Sequence, residues 1–222
     1  MIGAVVIDVD DTLCLTEAAC FEMENEVLAR MGRRPMSRAV HLSTWGRTLL
    51  EAMPERSPGV DVADFAAVHR VVLREYVEAG RLDVIVPENL AALDRLAVAG
   101  HRLMVLTSRT EIEVAHLLAP DHVLAGRLAA AYHEGNTRFT KPDPRAFDEL
   151  LAAAGLRPDE CVYVGDSPGD AQAANGAGLR FIACLQSGVR KRRDFAAHRV
   201  DVFIDAFPDV VEAVASLGEA RS

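Results

Sequence analysis

Lysine is almost absent from this chain: Lys141 and Lys191 are the only two in 222 residues. Lys and Arg together number 24 against 33 Asp and Glu, a formal net charge of −9. A surface that grips a nucleic-acid backbone is normally basic, so this balance argues against nucleic acid as a partner. The one basic cluster, Arg190-Lys191-Arg192-Arg193, reads as a solvated loop, with a phosphate or partner patch as the competing reading. Cysteine is scarce as well. Cys14, Cys20, Cys161 and Cys184 show no C-x-x-C spacing, which suggests neither a disulfide framework nor a zinc site. Cys161 and Cys184 lie in apolar runs and are expected to be buried thiols. No stretch approaches the ~20 uninterrupted apolar residues of a membrane span. A strand-like run begins at Ile2, leaving no room for the basic and apolar regions of a signal peptide. The expectation is a soluble, cytoplasmic protein with no membrane partner.

Aliphatic residues are plentiful. Half of the chain is hydrophobic while aromatics make up 5%, enough for a sizeable core. From residue 86 onward, short apolar runs alternate with helical patterns. The expected strands are Ile2 to Asp8, Arg102 to Leu106, Ala129 to His133, Cys161 to Val164, Arg180 to Leu185 and Val202 to Ile204. Between them, Glu88 to Ala99, Glu111 to Leu118, Pro144 to Ala154, Gly169 to Ala177 and Pro208 to Leu217 carry apolar residues at three- and four-residue spacing, as helices do. This alternation predicts an α/β fold, a doubly wound, Rossmann-like parallel sheet with helices on both faces.

Residues 14–85 break the rhythm. Glu17 to Met31 places Cys20, Met23, Val27, Leu28 and Met31 on one helical stripe, and Asp61 to Gly80 repeats the pattern. Gly32 and Gly80 fall where helix C-caps belong, and no strand-like run lies between. The predicted organisation is an α/β core of residues 1–13 and 86–222 with an inserted helical domain of residues 14–85.

Four segments carry chemistry. In Val5-Val6-Ile7-Asp8-Val9-Asp10-Asp11-Thr12-Leu13, three carboxylates end an apolar strand. Buried acids are costly without water, hydrogen bonds or a cation, and the carboxyl ends of parallel strands are where ligands bind. Val105-Leu106-Thr107-Ser108-Arg109 again puts small polar residues after an apolar strand, although Thr and Ser also begin many helices. In Thr140-Lys141-Pro142-Asp143-Pro144 two prolines fix the backbone beside a lysine that could equally be solvent-exposed. In Val162-Tyr163-Val164-Gly165-Asp166-Ser167-Pro168-Gly169-Asp170, two acids four apart could share a divalent cation, since magnesium takes one or two carboxylates. Gly165 and Gly169 would permit the required turn into a helix.

Taken in this order, the segments resemble the haloacid dehalogenase superfamily, with its D-x-D-x-T, strand-terminal Thr or Ser, Lys, and G-D-x-x-x-D. The corresponding residues are Asp8/Asp10/Thr12, Thr107, Lys141 and Gly165/Asp166/Asp170. The inserted domain looks like the family's helical C1 cap, as in the phosphoglycolate phosphatase and β-phosphoglucomutase branch. The resemblance implies a phosphatase of a small phosphorylated metabolite, with Asp8 as nucleophile and Asp10 as general acid and base. It implies magnesium held by Asp8, the Asp10 carbonyl, Asp166 and, more remotely, Asp170. It also implies phosphate binding by Lys141, Thr107 and the neighbouring Ser108, and a Thr12 that orients Asp10.

The departures within the family are informative. Asp10 argues against dehalogenation, and the absence of lysine from residues 14–85 removes the phosphonatase Schiff base. Asp11-Thr12 stands where mutases typically have Gly-Val, which favours hydrolysis over a phosphoglucomutase-like transfer. A receiver-like signalling domain would order its acids differently, and a noncatalytic relative would be expected to lose Asp8, Asp10 or Lys141. In the cap, Ser43-Thr44-Trp45-Gly46-Arg47-Thr48 resembles a substrate-touching loop. Arg47 is a candidate for a distal anion and Trp45 for a ring or sugar face, against a reading of a surface helix start with Trp45 in the cap core. His41 and His69 are read as packed or surface histidines.

Overall fold

The computed structural model describes residues 2–219. The chain divides into two compact units, Met1–Cys14 with Ile85–Ser222, and Leu15–Val84. The first opens with strand β1 (Ala4–Ile7). The second unit follows as four helices, α1 (Glu17–Arg30), α2 (Arg38–Thr44), α3 (Leu49–Arg56) and α4 (Val62–Glu78). The chain then returns through α5 (Pro87–Val98), β2 (Arg102–Leu106), α6 (Glu111–Val114), β3 (Ala130–Tyr132), α7 (Asp148–Ala154), β4 (Cys161–Gly165), α8 (Pro168–Ala177), β5 (Arg180–Cys184), β6 (Val202–Ile204) and α9 (Val210–Glu219). Among the described residues no helix is long and apolar enough to cross a membrane.

The strands form one sheet in the order β3-β2-β1-β4-β5-β6, every pairing parallel. This is the doubly wound α/β architecture expected from the alternation. Side chains alternate across a strand, so β1 sends Val5 and Ile7 into a layer with Leu93, Leu96, Val210 and Val214 of α5 and α9. Ala4 and Val6 enter the opposite layer with Leu150, Ala171 and Ala174 of α7 and α8. Covered on both faces, the central strands are continuous apolar runs, as parallel sheets require. Cys161 and Cys184 are buried free thiols, pushed up to about 11 and about 12 respectively, chiefly by burial.

The helical unit has its own core of Met23, Val27, Leu28, Phe65, Val72, Leu73 and Tyr76, with Cys20 and Met31 half-buried at its margin. Gly32 and Gly80 follow α1 and α4 at φ +69° and +62°. There the N–H of Arg33 bonds back to Leu28 O and that of Arg81 to Tyr76 O, closing both helix ends in Schellman fashion. A buried polar set ties three helices together. Arg56 donates to Glu24 (2.7 Å) and to the Thr44 hydroxyl (2.8 Å), and His41 Nδ1 lies 2.7 Å from Glu17. His41 is thus a packed residue, as is the buried His69.

Three local expectations change. The helix expected over Glu111 to Leu118 ends at Val114, and residues 115–127 continue in tight turns such as Ala119 N to His116 O and Ala125 N to His122 O. Pro120 disfavours helix at Ala119, while Leu117 and Leu124 are drawn into the sheet layer. The segment from Pro144 begins as a 3-10 turn, Pro144–Phe147, before α7. Helices α2 and α3 had no assignment from periodicity. They run only 7 and 8 residues, and Pro54 sits inside the second.

Candidate active site

The carboxyl end of β1 meets those of its two sheet neighbours, β2 and β4. Asp8 follows β1, with its N–H still bonded to Val164 O at 2.9 Å. Thr107 follows β2 and Asp166 follows β4. Asp8, Thr107, Asp166 and Asp170 are all buried. Beyond Asp8 the chain leaves the strand: Asp11 has φ 55°, and the N–H groups of Leu13 and Cys14 both turn back to Val9 O. Asp10 therefore lies in the turn beyond the strand.

Lys141, from the loop after β3, is the hub. Its Nζ lies 2.8 Å from Asp8 Oδ1 and 2.7 Å from Asp170 Oδ1, and it donates to the Tyr163 hydroxyl at 2.8 Å. Its side chain is only 9% exposed, beside buried partners, so the exposed-lysine reading falls. Asp170 belongs to α8, where it and Ser167 form a reciprocal cap: Ser167 N and Oγ donate to Asp170 Oδ2 at 3.0 and 2.6 Å. Gly165 matters here for space. A Cβ on it would stand 2.7 Å from Asp170 Cβ and Cγ. Gly169 is not constrained in this way, since its nearest neighbours would be Ser167 Oγ at 3.6 Å and Pro142 Cβ at 3.8 Å.

One carboxylate oxygen from each of Asp8, Asp166 and Asp170 falls in a cluster whose atoms lie within 4.8 Å of one another. Lys141 alone balances them within this set, and the charges show it. Burial pushes the Asp8 carboxyl up, to about 7, against the pull of Lys141. Asp166 is driven well above the carboxylate range by burial and then by Asp170, Asp8 and Asp11. Asp170 is also opposed by burial, but Lys141 and Ser167 bring it below its ordinary value. Asp166 Oδ2 is buried with no hydrogen-bond partner. An orphaned carboxylate oxygen among like charges is the environment that a hard divalent cation relieves, so the residues fit such an ion.

Asp10 is about a third exposed and is gripped by Arg109. Arg109 Nε lies 3.0 Å from Oδ2 and 3.2 Å from Oδ1, and Nη2 lies 2.5 Å from Oδ1. Thr107 Oγ1 accepts from Arg109 N at 3.2 Å, and Ser108 is half-buried between them in sequence. Thr12 corrects an expectation. Its hydroxyl is buried without a hydrogen-bond partner, and it is held through its carbonyl by Gln186 Nε2 at 2.7 Å, so nothing shows it orienting Asp10. Trp45 and Arg47 belong to the helical unit. Trp45 packs against His41, ring centroids 5.1 Å apart, and Arg47 is exposed and paired with Glu55 at 2.8 Å.

Two residues of this site were missed in the sequence, Arg109 and Tyr163. Both lay inside the quoted segments. An arginine directly after a strand-terminal Thr-Ser and a tyrosine within an otherwise aliphatic buried strand were the available signals.

The model of the haloacid dehalogenase-like hydrolases matches residues 5–184. A phosphoglycolate phosphatase of Pseudomonas syringae pv. tomato is 28% identical over 209 residues, covering 90% of this chain and 75% of the relative. One from Xylella fastidiosa is 30% identical over 197 residues, covering 86% and 82%. A haloacid dehalogenase-like hydrolase structure from Bacteroides fragilis superposes with TM-score 0.82 at 22% identity, covering 95% of this chain and all of the other. The chain belongs to the haloacid dehalogenase-like hydrolases and, within them, is a phosphatase.

Proposed function

We propose that the protein is a magnesium-dependent phosphomonoesterase that hydrolyses a small phosphorylated metabolite through an aspartyl phosphate on Asp8. The observation that carries this reading is the buried constellation of Asp8, Lys141, Asp166 and Asp170, over-supplied with negative charge. Asp8, Asp166 and Asp170, with the Asp10 carbonyl, would hold magnesium, which when bound offsets the repulsion between a carboxylate nucleophile and an anionic ester.

The rest falls to the chain's own groups. An Asp8 oxygen forms a bond to phosphorus as the ester P–O bond breaks, and Asp10 gives its proton to the departing oxygen. Water then attacks the aspartyl phosphate, Asp10 takes up its proton, and inorganic phosphate leaves. Lys141 and Thr107, with Ser108, neutralise and orient the phosphoryl oxygens, which is most of what this slow reaction requires. Arg109 directs donors at both Asp10 oxygens, so Asp10 must turn at least one of them away before it can donate a proton. The helical unit is assigned substrate selection as a C1 cap, with Arg47 for a distal anion and Trp45 for a ring or sugar face.

The test is phosphate release from a panel of phosphoglycolate, sugar phosphates and nucleoside monophosphates, with magnesium and with chelator. Magnesium-dependent release from one class is expected. Isomerised sugar phosphate without free phosphate would replace hydrolysis with internal transfer, and full activity in chelator would remove the metal.

A further inference from the structure

Tyr163 has no part in the chemistry above, yet its hydroxyl touches the two residues that frame the nucleophile. Its ring is buried in β4, edge-on to Phe147 with centroids 5.0 Å apart and 6.2 Å from Phe181. Phenylalanine would fill that space equally well. The hydroxyl is what needs an explanation, because a phenol in such a core must find partners.

The donor inventory supplies one. An ammonium has three N–H donors, and Lys141 has three acceptors: Asp8 Oδ1 at 2.8 Å, Asp170 Oδ1 at 2.7 Å and Tyr163 Oη at 2.8 Å. The phenol hydrogen is left for Leu106 O or Asp170 Oδ1, each at 3.1 Å. Two carboxylates alone would let a flexible four-carbon side chain settle along the line between them. The third acceptor, anchored by a packed ring, removes that freedom. With both carboxylates ionised it is also the only neutral one of the three, and hydrogen bonds to charged acceptors are the stronger. A phosphate oxygen approaching Lys141 therefore displaces the phenol and leaves both carboxylates in place.

We infer that Tyr163 is a positioning residue for Lys141: its hydroxyl holds the ammonium against Asp8 and Asp170 and is exchanged for a substrate phosphate oxygen. This rests on the phosphatase reading of the site. Tyr163→Phe keeps the ring and removes only the hydroxyl. Because the hydroxyl leaves Lys141 when substrate binds, its loss should lower KM by up to about tenfold, the scale of one hydrogen bond to a charged group, and leave kcat within about twofold. A residue that only packs would shift neither.

A second readout needs no turnover. The chain has two lysines, Lys141 and Lys191, and Lys191 is exposed. Lysine-selective ¹⁵N labelling of the full chain therefore isolates the Lys141 ammonium. Its resonance should move in Tyr163→Phe, and in wild type on adding inorganic phosphate with magnesium. An unmoved Lys141 signal in the variant, kcat and KM both within twofold of wild type, or a raised KM at unchanged kcat would each overturn the inference. Failure of wild type to release phosphate from any ester would sink the functional reading instead. The free-protein comparison would still decide whether the phenol holds Lys141.

Discussion

Gly165→Ala isolates the fit between β4 and the site. The new Cβ would lie 2.7 Å from Asp170 Cβ and Cγ and 2.8 Å from Oδ2, closer than real Cβ contacts. The neighbour cannot swing aside. Its Cβ is fixed to α8, and its carboxylate is held by Lys141, Tyr163 and both donors of Ser167. Gly165 itself is in register with Ala183 of β5. Relief requires α8 or β4 to shift, and overpacking of this kind costs about 1–3 kcal/mol. At ~2–4 °C per kcal/mol for a chain of this size, the melting temperature should drop by roughly 2–12 °C. The same displacement draws Asp170 from Lys141, so kcat should fall more than tenfold. Gly169→Ala is the matched control. Its Cβ meets only ordinary contacts inside a helix, where alanine gains up to ~1 kcal/mol over glycine, so the melting temperature should hold or rise. Thermal denaturation by circular dichroism and phosphate release would be measured on both variants. If Gly165→Ala melts within 1 °C of wild type with kcat within twofold, the steric argument is wrong.

Asp8→Asn should abolish turnover with the fold intact, and residual activity within tenfold of wild type would remove Asp8 as nucleophile. Without divalent ions, Asp8 is also a pH-dependent liability. Its carboxyl rises from 3.8 to about 7 on folding, so the folded state holds a proton that the unfolded chain releases. Its contribution to stability is therefore fully present below pH 3.8 and is lost as pH rises through about 7. In chelator, the melting temperature of wild type relative to Asp8→Asn should fall between pH 5 and 7.5, and a constant difference would contradict the burial argument. Stripped wild type should melt below Asp166→Asn, which removes a carboxyl whose ionisation burial and the neighbouring acids oppose. Magnesium at a hundred times its Kd should then stabilise wild type by about 2.7 kcal/mol and the variant far less, as calorimetry would show. Arg47→Ala should cost ~1.5–3 kcal/mol in kcat/KM for a substrate with a distal anion and leave a simple aryl phosphate unaffected. Equal rates on every substrate would leave Arg47 as the surface partner of Glu55.

The sequence by itself determined the α/β class. Apolar runs such as Ala4–Ile7 and Cys161–Gly165 are too uniformly hydrophobic for anything but strands covered on both faces, and the intervening helices carry their own period. It also set the order of the four polar segments, because acids that end apolar strands are costly enough to be conspicuous. Local signals ran out where the determinant was distant. Helices α2 and α3 are too short to show a period, and residues 115–127 turn because Leu117 and Leu124 are claimed by the sheet. Only the tertiary structure decided which charges meet. Arg109 reaches Asp10 across 99 positions and Lys141 reaches Tyr163 across 22, through the parallel register of β2, β1 and β4. The need for glycine at 165 is of the same origin. Its backbone angles demand nothing unusual, and the requirement exists only because α8 folds Asp170 back against the end of β4. Strand register and helix docking are sums over many residues, and they fix at a few ångströms what spacing along the chain leaves open.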